Sequence, residues 1–158
     1  GGSVDLHLVR SNPIARMALP GPAVLSVTGP DGYVSPDWYE ADDQVPTWNY
    51  VAVHLRGVLE PLPAEDTRSL LDRQSAMTEA RVAGKAPWTT AKMTPEALTR
   101  MMRQILCFRL RIESVDGIWK LNQNKEDAVR LRAAERVGDG FGNDLQALAG
   151  LMRDPPRR

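Results

Sequence analysis

An α+β fold is what this sequence predicts: an antiparallel meander or barrel of strands, with flanking and C-terminal helices. Three observations carry that expectation. Apolar and polar residues alternate with the two-residue period of a strand in residues 4–9, 22–29 and 47–62. Turn-forming residues join those segments, which suits antiparallel neighbours rather than a βαβ unit. From residue 63 the pattern turns mostly helical, interrupted by one more stretch of alternation at 107–121.

"VDLHLV" (4–9) sets Val4, Leu6 and Leu8 against Asp5 and His7, a short strand. Asn12-Pro13 then opens a turn or a helix. "PAVLSVTG" (22–29) reads as a strand closed by Gly29 and Pro30, and "GPDGY" as a turn feeding the aromatic segment "YVSPDWY". "EADDQ" is a polar loop. The long strand that follows opens on "VPTWNY", with two large aromatics and two small polar groups at its mouth.

Residues 63–82 carry acidic side chains in their first turn and no internal breaker, which predicts a helix. Thr94 is a good N-cap and Pro95 a good first residue for a helix over 94–106. Leu98, Met101, Met102 and Ile105 would form its apolar face. "CFRLRIESVDGIWKL" returns to period two, and Asp116-Gly117 is a hairpin signal that should send "IWKL" back along the same strand. Helices at about 126–137 and 143–152 follow, and "DPPRR" ends the chain as a tail. One domain over residues 1–158 is expected.

With 20 basic and 20 acidic side chains among 158 residues, the chain has no net charge at neutral pH. It therefore lacks the basic surplus that nucleic-acid binding usually shows. A lone Cys107 rules out an internal disulfide framework and reads as a buried, inert thiol. No apolar run is long enough to span a membrane, and a cytoplasmic location is the default. The opening "GGSVDLHLV" lacks an initiator methionine, which predicts a tag remnant or a truncated start.

Four clusters mix aromatics or proline with hydrogen-bonding groups: "HLVRSNP", "YVSPDWY", "VPTWNYVAVH" and "WKLNQNK". On packing grounds alone Trp38, Trp48 and Trp119 are core aromatics, and His7 and His54 are satisfied strand histidines. Nothing with metal-ligand spacing accompanies either histidine. Ser35 has no hydrolase elbow around it, and no glycine-rich phosphate loop occurs. Lys120, Lys125 and Arg130 fit a solvated face and an anion site equally well.

"RSNP", "GPDGYVSPDWY", "VPTWNYVAVHLRG" and "WKLNQNK", in this order, resemble the PaiB-like family of FMN-binding negative transcriptional regulators. The resemblance runs from about Leu6 to at least Arg130. It implies an antiparallel split β-barrel similar to those of pyridoxamine-phosphate oxidases and flavin reductases, a homodimer, and FMN at the subunit interface. Family members carry further residues upstream of "HLVRSNP", including early strands, so the barrel is expected to be incomplete.

A flavin needs a flat wall for its ring, amide or hydroxyl partners for its polar edge, and cations for its phosphate. The resemblance makes Trp38 and Trp48 candidates for the walls. Ser35, Thr47, Asn49 and Gln123 are candidates for ring and ribityl atoms, and His7, Arg10, Lys120 and Lys125 for the phosphate. No catalytic acid, base or nucleophile stands out. Beside the regulator, two alternatives remain: an FMN-dependent oxidoreductase with a nicotinamide donor, and a flavin-free interaction or sensor barrel. A DNA partner follows from the family resemblance and draws no support from charge.

Overall fold

The computed structural model describes Gly2–Pro156, so the last two residues of the expected tail lie outside the described residues. Five strands form an antiparallel sheet in the order β1-β4-β3-β2-β5, and four helices accompany it. The strands are β1 (Ser3–Val9), β2 (Gly21–Val34), β3 (Thr47–Pro61), β4 (Ile105–Lys120) and β5 (Gly142–Asn143). The helices are α1 (Thr67–Glu79), α2 (Pro95–Met102), α3 (Asp127–Arg136) and α4 (Leu145–Arg153). The chain divides into two compact units. The first holds the residues up to Val24 with Arg56–Ser114, and the second holds Leu25–Leu55 with the residues from Val115 on.

In the first unit β1 runs antiparallel to β4, from Ser3 opposite Arg111 to Val9 opposite Ile105. Period two sends Phe108 and Leu110 inward, where they are buried with Leu59, Leu70 and Leu98. Asp5 receives Arg109 Nε at 2.6 Å and Nη2 at 2.9 Å, with Arg73 Nη2 at 3.2 Å. The Arg109 hydrogen bond, more than any other influence, holds this carboxyl below the usual aspartate range. Cys107 is buried as expected, its Sγ 3.6 Å from Thr67 Oγ1.

Thr94 caps α2 by accepting the Ala97 N–H, and Pro95 takes the first turn, as the sequence indicates. The helix is shorter than expected. It stops at Met102, and Ile105 begins β4 instead of completing the helical face. Likewise a 3₁₀ turn over Ala64–Asp66 precedes α1, which starts only at Thr67.

Two turn signals fail for a shared reason. Gly29-Pro30 does not close a strand, because β2 continues to Val34. Pro30 has no N–H to give a ladder, yet the strand runs on through it to its pairing with β5 at Asp31 and Gly32. Gly29 instead allows a close approach: a Cβ there would lie 3.2 Å from Val51 Cβ. Asp116-Gly117 makes no hairpin either, since β4 runs unbroken through it. Neighbouring β3 is 15 residues long, and extension beside it prevails over a local turn.

The second unit has its own core: Val34, Tyr39, Val51 and Leu121 meet Ala133, Ala134 and Val137 of the α3 region and Leu148, Ala149 and Met152 of α4. Small residues on α3 allow close approach to α4. Arg130 is buried beside them. Its Nη1 donates to the carbonyls of Met152 and Arg153, the latter at 2.9 Å, and Nη2 donates to Asp127 Oδ1 at 2.6 Å.

Candidate functional site

The second unit carries an open groove of about 760 Å³ where β4 ends. Tyr50 lines it from β3, Ile118, Trp119 and Lys120 from β4, Gln123 and Asn124 from the turn, and Pro155 and Pro156 from beyond α4. Its volume falls within the range of roughly 300–1,000 Å³ that small-ligand sites occupy.

The turn behind the groove is rigidly built. Gln123 Oε1 accepts the Leu121 N–H at 2.7 Å, and Gln123 Nε2 donates to the Trp119 carbonyl at 2.6 Å. Asn122 adopts a left-handed backbone at φ 64° and is buried, with Nδ2 donating to Tyr39 Oη at 3.0 Å. Asparagine tolerates that conformation better than most residues. Burial pushes the Tyr39 hydroxyl pKa upward, against the Asn122 bond. Leu121 and Asn122 thus anchor inward, while Trp119, 38% exposed, and Lys120 are left outward. Lys120 has no ion-pair partner among the described residues.

Of the residues expected to hold a ligand, only Lys120 and Gln123 line this groove. Lys125 turns away to Gln44 Oε1 and lies 4.3 Å from the centre of the Tyr39 ring. Asn124 does not cap α3, whose N-cap position is Glu126. Ser35 caps a 3₁₀ turn, its Oγ accepting the Asp37 N–H at 3.4 Å. Thr47 opens β3 and is half-buried. Asn49 is wholly buried; Nδ2 reaches Met152 Sδ at 3.4 Å, and Oδ1 has no partner among the described residues.

Trp38 and Trp48 belong to an aromatic cluster that the sequence did not reveal. Phe141 stacks on Tyr33 at 5.2 Å and meets Trp48 edge-on at 5.4 Å, while Tyr33 meets Trp38 edge-on at 6.4 Å. Asp31 ties the cluster by accepting Trp48 Nε1 at 3.1 Å and Asn143 Nδ2 at 2.9 Å. A lone Phe141 inside "GDGFG", outside any helical period, was the available signal. His7 and Arg10 lie in the first unit. His7 Nδ1 is 2.9 Å from Gln74 Oε1, and Arg10 Nε donates to the Arg103 carbonyl at 2.6 Å.

The groove's chemistry fits a flavin mononucleotide. Trp119 and Tyr50 offer aromatic rings, Asn124 offers an amide, and Lys120 offers an uncommitted cation. Among the described residues the lining contains no carboxylate, imidazole or thiol. Among the described residues no cluster could hold a metal ion, and no helix is long and apolar enough to cross a membrane.

Comparison with known proteins identifies the family and the fold. The Bacillus subtilis "Protease synthase and sporulation protein PAI 2" is 28% identical over 126 residues, covering 80% of this chain and 59% of that protein. An uncharacterized Aspergillus fumigatus protein is 25% identical over 178 residues, covering 89% of this chain and 66% of its own length. This chain therefore spans about three-fifths to two-thirds of those relatives. The solved FAD and heme binding protein from Mycobacterium smegmatis shares the fold at a TM-score of 0.52 and 20% identity, covering 90% of this chain and 63% of that one. The fold class is the split-barrel type the sequence predicted. A family profile described as "Putative FMN-binding domain" matches residues 1–114, and the chain belongs to that FMN-binding family.

Proposed function

We propose that this chain is the flavin-binding portion of a PaiB-like regulator, with FMN seated in the groove at the end of β4. The observation that carries this reading is the free Lys120 beside the exposed ring of Trp119 and the Asn124 amide of the turn. The ammonium meets the phosphate as a charge-assisted donor. Trp119 and Tyr50 exclude water from the ring, and the Gln123 bonds to Leu121 and Trp119 keep the turn in shape. Bound FMN would supply redox chemistry of its own. Family membership supports the cofactor; the groove residues from Ile118 on lie beyond the matched segment, so their role rests on their chemistry.

A homodimer accompanies this reading. All eight residues of Glu113–Lys120 are exposed on β4, Val115 to 61%, and a second copy would cover that strand. Negative regulation rests on the resemblance and on a relative named for protease synthesis and sporulation. If the flavin-loaded chain binds DNA, that binding should weaken steeply with salt; DNA retention that ignores salt, or none at all, would remove the regulator reading.

Titration separates the phosphate from the ring. Lys120→Gln should weaken FMN about tenfold, near 1.4 kcal/mol, and leave riboflavin unchanged, because only FMN carries the phosphate. Light scattering on the loaded sample should give twice the chain mass. Equal weakening of both flavins would take Lys120 out of the phosphate site, and a flavin-loaded monomer would remove the dimer.

A further inference from the structure

The first unit contains two cavities that share lining residues. One, of about 300 Å³, has Arg10, Arg68 and Arg103 around a floor that includes Leu62, Leu106 and Cys107. The other, of about 280 Å³, is walled by Leu71, Trp88, Met93, Leu98 and Met101, with His7 at its margin. Met102 and Ile105 line both, so the cation-lined cavity and the apolar one are neighbours.

The three arginines are not equivalent. Arg68 is committed, with Nε on Asp72 at 2.9 Å and Nη2 on Thr90 Oγ1 at 2.6 Å. Arg10 uses only Nε, on the Arg103 backbone carbonyl, and keeps both Nη groups. The Arg103 guanidinium has no partner among the described residues. Glu65 is the single acid among the described residues of the lining. Asp72 and Glu65 offset two of the three cations, which leaves one positive charge in excess beside apolar walls. An anion bound there would meet the uncommitted Nη groups of Arg10 and the guanidinium of Arg103 as charge-assisted donors.

The geometry points to a binding site for a small amphiphilic monoanion. Its carboxylate pairs with Arg10 and Arg103, and its hydrocarbon chain or single ring follows Met102 and Ile105 toward Trp88. Each cavity lies at the lower limit of ligand sites, a size for a short acyl chain rather than a tricyclic flavin with its ribityl phosphate. The segment carrying Trp88 is held in place, because Glu79 accepts the Trp88 N–H at 2.7 Å and also pairs with Lys85. The apolar wall is therefore preformed.

Calorimetric titration of the full chain with octanoate, against 1-octanol as the neutral isostere, tests the site. Octanoate should bind saturably, at least tenfold more tightly than octanol. Arg103→Gln and Arg10→Gln, both at exposed positions, should each weaken octanoate about tenfold and leave octanol unchanged. Saturating FMN should not alter the octanoate isotherm. Absence of saturable binding, equal affinity for octanol, or competition by FMN would overturn the proposal; competition would return Arg10 to the cofactor.

Discussion

Gly57→Ala will cost the first unit at least about 3 kcal/mol and should leave little of it folded at 37 °C. Gly57 lies in β3, and a Cβ on it would stand 1.9 Å from the Arg111 carbonyl oxygen, 2.9 Å from the Arg111 carbonyl carbon and 3.1 Å from Ile112 Cα. All three obstacles are backbone atoms of β4, so no rotamer change relieves the overlap. Either the strands separate, with loss of ladder bonds, or the variant fails to fold. Gly29→Ala is the control. There the nearest obstacle is Val51 Cβ at 3.2 Å, a far milder approach than 1.9 Å, so a loss of about 1 kcal/mol is expected. Thermal unfolding of both variants, followed by circular dichroism, decides the matter. A Gly57→Ala protein melting within two degrees of Gly29→Ala would show that the approach of the two backbones has been misjudged.

Arg130→Met is expected to lower stability by about 3 kcal/mol, or roughly 5–10 °C in melting temperature. The ion pair with Asp127 explains little of this, since the Asp127 side chain is 86% exposed and water screens it. The loss comes from the last turn of α4. The Met152 and Arg153 carbonyls have no following turn to bond them and are satisfied by one buried guanidinium. Methionine fills the volume of the stem but offers neither carbonyl a donor. Asp127→Asn serves as the comparison and should cost less than about 1 kcal/mol. If both variants melt together, the Arg130 bonds to the Met152 and Arg153 carbonyls add nothing beyond the ion pair within α3.

Strand periods and helix caps were legible in the sequence because they are local. Thr94 and Pro95 start α2 where they predict, and the alternation around Phe108 and Leu110 locates a buried face. Turn dipeptides were misleading for the opposite reason. Gly29-Pro30 and Asp116-Gly117 permit a turn without requiring one, and long neighbouring strands override them. At the groove, Lys120 and Gln123 could be read because they are close in sequence to Trp119. Tyr50, Pro155 and Pro156 reach it only through tertiary packing, which no spacing reports. Asn49 and Trp48 looked alike as polar and aromatic candidates at one strand mouth. Strand pleating then sent one into the core and left the other 39% exposed.

The uncovered stretch of β4 also bears on how the chain behaves before it meets any partner. Val115, Ile118 and Trp119 are the kind of side chains that drive strands of different molecules to stick together. Glu113, Asp116 and Lys120 interrupt them, so no three apolar residues stand in a row. Charges placed this way act as gatekeepers, making irregular stacking costly while leaving one matched pairing open. The strand is protected against aggregation by its own charge pattern, and mutation of those three residues should appear first as loss of solubility rather than loss of fold.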